Sequence, residues 1–233
     1  MAFYKIRKLS RKLPGGSMTE PVHGTLDVIL KQDSDQSPTC VYNELVCLRL
    51  AQRLGVPLAL GVPSVADGGT YFASLIVGGL SINLPNISAK KMASVAQRYP
   101  DEAAALFVFD VWVLNDDRAN NLKANLTPAE VHLVAGIDHE QTLLGTRADM
   151  NDSLRALGNL EVPNQHPLRA HVAAGIVEQW VARIVALDDA VVDDAVVLKF
   201  RVGGVYERMQ RKLAAAVKTR RDHIADLVRR ARA

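Results

Sequence analysis

The sequence predicts an α+β protein in two unequal parts: a β-rich segment over residues 1–77 holding one helix, and a mainly helical remainder over 78–233. Three observations lead there. The first forty residues carry short apolar runs broken by glycine and proline turns. Residues 41–54 form the single strongly amphipathic stretch among the early strands. From residue 90 onward, apolar side chains recur every three or four positions, the spacing of helices that bury one face.

Taken in order, Tyr4-Lys5-Ile6-Arg7 alternates apolar and charged residues, as a half-buried strand does. Leu13-Pro14-Gly15-Gly16-Ser17-Met18-Thr19 is a glycine turn, and residues 26–30 form a compact apolar strand that ends in Lys31. Ser37-Pro38 forces an extended turn, because proline disfavours helical backbone at the residue before it. Helix 41–54 follows, with Val41, Leu45 and Leu48 in one row, Val46, Leu50 and Leu54 widening it, and Gly55 and Pro57 ending it. Strands over 58–65 and 71–77 flank the hairpin turn Asp67-Gly68-Gly69. A loop over 81–89 leads to helices at 90–98 and 101–114. A helix pair is expected over 166–187 and a single long helix over 207–233. The duplicated Asp-Asp-Ala-Val-Val at 188–197 reads as two solvated helix starts rather than as a metal site.

Composition narrows the function classes. With 48% hydrophobic and 23% charged residues in 233, the chain can bury a substantial core. No stretch of eighteen uncharged apolar residues occurs, so no membrane span is expected. The basic N-terminus lacks the apolar run of a secretory signal, and a cytoplasmic protein is expected. Cys40 and Cys47, seven positions apart in the helix, would sit about 10 Å apart, beyond disulfide reach. Residues 199–233 hold eleven Lys/Arg against three Asp/Glu, a net +8 in a chain whose total is +3. That tail suits an acidic partner, or the solvated face of an amphipathic helix. Nucleic acid is not expected, because aromatic residues (5%) are too few to interleave as stacking platforms.

The chemistry concentrates between Phe109 and Leu143. An apolar helical segment stops at Asn115-Asp116-Asp117-Arg118-Ala119-Asn120-Asn121, and a second apolar run delivers Asp138 and His139. Two acidic sites joined by a short connection suit a centre for divalent metal and phosphate. One carboxylate would orient a hydroxyl, while Asn121 and Asp138 would hold Mg2+ against a nucleotide's phosphates. As a local motif the same cluster also reads as a turn, with Asn115 or Asp117 capping a helix. His139 reads as a packing residue. No zinc, Walker A, Rossmann or G-x-S-x-G pattern is present.

The run N-x-D-R…N followed by Ile137-Asp138-His139 resembles the HipA-like kinases, a bacterial branch of the protein-kinase-like superfamily with affinities to phosphoinositide kinases. The resemblance implies a bilobal fold with ATP between the lobes and Mg2+ as the metal. It also implies transfer of a γ-phosphate to a hydroxyl, with a protein Ser/Thr as first expectation and a small molecule or lipid left open. On that pattern Gly15, Gly16 and Ser17 would cover the phosphates, with Ser17 or Thr19 a self-phosphorylation site. Lys31 would pair with phosphate, and Glu44 would hold Lys31. Backbone groups of Ser74, Leu75 and Ile76 would meet adenine at the hinge. Asp117 would be the catalytic residue, Asn121 and Asp138 the metal ligands, and an antitoxin-type protein a partner.

One departure matters. The family usually places its Asn five residues after the catalytic Asp, whereas Asn121 follows Asp117 by four. Asp116 would restore the usual separation, and Asp117 directly precedes Arg118 as the motif requires. The short spacing also admits a non-catalytic nucleotide-binding scaffold, and the basic tail a nucleic-acid module. Both are kept as rivals.

Overall fold

The computed structural model describes residues 6–12, 22–79, 82–127 and 132–233. The expected glycine turn with Gly15, Gly16, Ser17 and Thr19 lies outside them. Strand β1 (Ile6–Lys12) pairs antiparallel with β2 (Val22–Leu26), and β3 (Val28–Gln32) belongs to a different sheet. The expected strand over 26–30 is therefore split at Asp27 between two sheets. Its apolar residues are not a buried run: Ile29 and Leu30 are 56% and 53% exposed.

The second sheet has the order β3-β5-β4, where β4 is Gly61–Ala66 and β5 is Gly69–Leu75. Register sets Lys31 opposite Phe72 and Ile29 opposite Ser74, so these four share one face. The β4–β5 turn places both Asp67 (φ 49°) and Gly68 (φ 77°) in left-handed backbone. That geometry matches the strand twist and favours Asp-Gly. Helix α1 (Cys40–Leu54) packs against β3, β4 and β5. It is buried on nearly every side because helical elements cover what the sheet does not. Gly55 (φ 77°) ends it, and the Val56 N–H closes back on the Ala51 carbonyl.

Short strands β6 (Gly78–Gly79) and β7 (Ile82–Asn83) pair where a loop was expected. Helix α2 (Met92–Arg98) leads into α3 (Pro100–Val113), which starts on Pro100 with Asp101 and Glu102 in its first turn. From Ala103 to Val113 every residue of α3 is buried. This is the helix that is apolar all round, and it forms the axis of the helical part. It ends because Leu114 turns left-handed (φ 55°). That backbone costs a non-glycine residue about 1–2 kcal/mol. The full burial of the Leu114 side chain offsets it, at roughly 1.5–3 kcal/mol. The chain then reverses into residues 115–121, β8 (Leu122–Ala124) and β9 (Val134–Gly136), an antiparallel pair.

Three expectations for the remainder are corrected. Residues 166–187 hold one helix, α5 (Ala174–Val185), because turns occupy 166–173; helix α4 (Met150–Gly158) precedes it, capped by Asp149. The duplicated Asp-Asp-Ala-Val-Val gives one helix, α6 (Asp189–Val196), whose second acidic pair lies inside it. There Asp193 meets Lys218 and Asp194 meets Arg49 and Arg53, so basic neighbours account for the acids. The long C-terminal helix breaks at His223 into α7 (Glu207–Asp222) and α8 (Ile224–Arg232).

The basic tail is not simply a solvated face. Arg220, fully buried, donates to the carbonyls of Val111 and Trp112 at 2.6 and 2.7 Å and so caps the end of α3. Burial pulls its pKa down to about 10. No helix among the described residues is long and apolar enough to cross a membrane.

Candidate active site

After the left-handed turn at Leu114 the chain leaves α3, with Asn115 buried, Asp117 half-buried and Asp116 exposed. The Asn115 side chain fixes the turn from both ends: its Nδ2 donates to Asp110 Oδ1 (2.8 Å), and its Oδ1 accepts the Asp117 N–H (3.0 Å). Behind the loop lies a buried ionic cluster. Arg118 donates through Nε and Nη2 to the Asp110 carboxylate (2.7 and 2.8 Å), and through Nη1 to the carbonyls of Asn121 and Ile137 (2.5 and 2.9 Å). Its Nη2 also lies 2.8 Å from His139 Nε2. All five guanidinium N–H groups thus have acceptors. His166 Nε2, from the turns before α5, is 2.9 Å from Asp110 Oδ2. Burial alone would push the Asp110 carboxyl up, but the Arg118 charge outweighs it and holds it below the usual range.

The second cluster joins three segments far apart in sequence. Lys31 Nζ on β3 lies 2.5 Å from Glu44 Oε1 on α1 and 2.8 Å from Asp138 Oδ1 after β9. Burial would pull the Lys31 pKa down, but the two carboxylates raise it, and the ammonium stays charged. Glu44 Oε1 also accepts the His139 N–H at 2.8 Å. Asp138 adopts left-handed backbone (φ 59°), which turns the chain so that its carboxylate meets Lys31 while the next residue points inward.

The two acidic residues of the loop differ. Asp116 is exposed, and its Oδ1 accepts the Asn164 N–H at 2.6 Å. Asp117 is half-buried, and its Oδ2 accepts Asn121 Nδ2 at 2.9 Å. Its pKa is raised by burial and by the Asp138 charge. Asn121 Nδ2 also bonds the Asp117 carbonyl (2.8 Å), which leaves the amide oxygen on the other side of the group. The loop therefore brings Asp117 and Asn121 together and Asp117 into the field of Asp138.

The chemistry of this donor set decides what it could hold. No cluster of three His, Cys, Asp or Glu suited to a metal exists among the described residues. Mg2+ is commonly bound by one or two carboxylates completed by phosphate oxygens and water, so two protein oxygens from Asp138 and Asn121 fit Mg2+ with a phosphate ligand. They do not fit a self-sufficient protein cage.

Of the residues expected to meet adenine, Ser74 and Leu75 lie within β5 and Ile76 just past its end. The Leu75 N–H already donates to the Leu60 carbonyl (2.8 Å), so it is not free for a base. A small apolar cluster of Val77, Leu84, Leu133 and Ala135, with Ala59 and Ile137 against it, lies next to this strand end. A polar cavity of about 580 Å³ opens beyond Asp138, between residues 34–39 and 140–148. Its wall includes Arg147, whose Nη1 is 3.8 Å from Asp116 Oδ2.

No family model matches the chain, and no curated protein matches it. Solved structures do. The Helicobacter pylori proinflammatory kinase CtkA aligns over 97% of this chain and 96% of its own, with a TM-score of 0.58 at 12% identity. HipA of a Shewanella oneidensis MR-1 toxin–antitoxin system, seen with HipB and operator DNA, aligns over 90% of this chain with a TM-score of 0.55 at 13% identity. The chain spans 62% of the length of that HipA.

The fold is HipA-like. It is the kinase-like arrangement of small antiparallel sheets beside a helical part, and α1 and β3 bring Glu44 and Lys31 together within it. Sequence reasoning passed over Asp110 and His166 as participants, and placed His139 outside the site. Asp110 carried one usable signal, a charged residue inside the otherwise apolar stretch 103–113. His166 carried none, because its partner lies 56 positions away.

Proposed function

We propose that this protein is an ATP- and Mg2+-dependent phosphotransferase acting on a hydroxyl, with a protein Ser/Thr as the first acceptor to test. The observation that carries the reading is the meeting of Lys31, Glu44 and Asp138 from three separate segments within hydrogen-bond distance. A surface ion pair would not gather three such groups, one of them nearly buried. Lys31 binds phosphate, and Glu44, held by the His139 N–H, keeps the ammonium in place. Asp138 and Asn121 would hold Mg2+, which when bound neutralises phosphate charge. Asp117 orients the acceptor hydroxyl and accepts its proton, a task that a raised carboxyl pKa assists. The polar cavity lined by Arg147, which reaches Asp116 in the same loop, is the approach to test for the acceptor. Rate would come from positioning and electrostatics.

The HipA of known structure is accompanied by HipB and DNA. An antitoxin-type protein is accordingly proposed as a partner, and a cytoplasmic setting is consistent with it. Direct nucleic-acid binding is less supported, because Arg220, Arg221, Lys218 and Arg232 are engaged within the fold.

Incubation with γ-labelled ATP and Mg2+ tests the reading: self-labelling, or labelled proteins in a lysate, is expected. Absence of labelling together with absence of thermal stabilisation by Mg-ATP overturns it. One observation favours a second reading, a nucleotide-binding scaffold: at a spacing of four, Asn121 bonds Asp117 itself. That reading gives stabilisation by ATP without transfer.

A further inference from the structure

One residue touches both charged clusters. The ring of His139 meets Arg118, and its backbone meets Glu44. We propose that His139, as a neutral imidazole carrying its proton on Nδ1, is a positioning residue that keeps the Asp117 loop in register with the Lys31–Glu44 pair. What is positioned rests on the phosphotransferase reading above; the linkage itself rests on geometry.

The geometry fixes the tautomer. A guanidinium only donates, so at 2.8 Å from Arg118 Nη2 the His139 Nε2 must supply a lone pair. The proton then sits on Nδ1, 4.0 Å from Glu44 Oε2. The guanidinium hydrogen occupies the Nε2 lone pair, so Nε2 cannot also carry a proton while this contact is made. The ring is held edge-on to Phe109, with centroids 6.3 Å apart, so it cannot turn away without leaving the core. Its carbonyl accepts the Thr142 hydroxyl at 2.7 Å, which pins the following turn.

The connection runs without a gap. Arg118 grips the carbonyl of Asn121, four positions after Asp117, and that of Ile137, which directly precedes Asp138. Arg118 donates to the His139 ring, His139 N–H donates to Glu44 Oε1, and that same oxygen accepts Lys31. Without the His139 acceptor, one guanidinium hydrogen would be buried unpaired. Arg118 would then tilt, and the two carbonyls it holds would move with it. A loop displaced in this way still admits nucleotide but misplaces Asp117, so the cost falls on the transfer step rather than on binding.

Two experiments on the full chain test this. Long-range 1H–15N correlation of the imidazole rings near neutral pH, with the His139 signals assigned by their loss in H139Q, should show the Nδ1–H tautomer. An Nε2–H or doubly protonated ring overturns the proposal. Single-turnover transfer from labelled Mg-ATP, at saturating nucleotide, is then compared in H139F and H139Q. H139F keeps the packing without the acceptor, and transfer should slow about tenfold or more while the Mg-ATP Kd moves less than about twofold. The amide oxygen of H139Q reaches towards the Nε2 position, and its rate should return to within about threefold of wild type. Equal rates in H139F and wild type overturn the proposal, as does equal loss in both variants. If wild type neither binds nor turns over Mg-ATP, the phosphotransferase reading fails, and the tautomer alone decides the linkage.

Discussion

The Asp110 carboxylate accepts hydrogen bonds from Arg118, Asn115 and His166 in a place solvent does not reach. The Lys31 ammonium also meets partners of opposite charge, but one of them, Asp138, has a side chain 32% exposed. Both clusters combine a cation with carboxylates at similar distances. They differ in what remains open. Around Asp110 the donors and acceptors are used up within the protein, which suits a fixed support. Around Lys31 the ammonium and the Asp138 carboxylate are each other's partners at the edge of solvent, where a ligand bringing phosphate and metal could take over both.

Breaking the buried cluster should produce the largest loss of stability. Arg118→Met leaves Asp110 uncompensated, and denaturant unfolding should show a loss of roughly 3–5 kcal/mol. The deficit should depend on pH with a definite sign. In wild type the depressed Asp110 pKa contributes stability at all pH above the ordinary value of 3.8, lost only as pH falls through the folded value below it. Without the guanidinium, burial is opposed only by the bonds from His166 and Asn115, and the carboxyl should rise. The variant's deficit should then shrink between pH 7 and about pH 4. A deficit constant over that range would contradict the account.

The comparison sharpens at the loop. Asp117→Asn should retain Mg-ATP binding and slow transfer by about 10²–10⁴-fold, because the amide cannot accept the hydroxyl proton. Asp116→Asn keeps an oxygen to accept the Asn164 N–H, removes only an exposed charge 3.8 Å from Arg147, and should leave the rate within a few-fold. Single-turnover rates of the pair decide the assignment, and the reverse pattern would move the catalytic role to Asp116.

At the open cluster, stability and binding should separate. Lys31→Ala should weaken ATP binding by on the order of 1.5–3 kcal/mol by calorimetry, with a stability change well below that of Arg118→Met. The smallest expected signal is that of Asp138→Asn. It should melt near wild type when free of ligand, yet lose the extra stabilisation that Mg2+ adds to ATP. Equal Mg-ATP stabilisation of variant and wild type would remove Asp138 from the metal site.

Much of this was legible in the sequence, for identifiable reasons. Helix α1 and the Asp67-Gly68 hairpin announce themselves because their signals are local: a repeated apolar row, and a turn that only certain residues tolerate. The pairing of Lys31 with Glu44 came from resemblance to a family, and the direct Lys31–Asp138 contact was not foreseen, since no local rule links positions 107 apart. What stayed hidden depends on tertiary context. The break at His223 follows no proline or glycine, and the second Asp-Asp pair looked like a helix start because its basic partners lie on α1 and α7. The split of the early strand at Asp27 reflects pairing with two different sheets, which an apolar run cannot encode.

The thiol of Cys47 faces the Thr142 hydroxyl at 3.3 Å across the seam between α1 and the turn after His139, and Cys40 begins the same helix. Burial pushes both thiols up, Cys40 to about 12, so neither is ionised at neutral pH while the seam is shut. An alkylating reagent can therefore reach Cys47 only when α1 lifts from that turn, an opening that also parts Glu44 from the His139 N–H. With Cys40 replaced by serine, Cys47 is a built-in clock. The rate at which the folded variant consumes a thiol reagent reports how often the helix carrying Glu44 comes away, with no nucleotide or acceptor required.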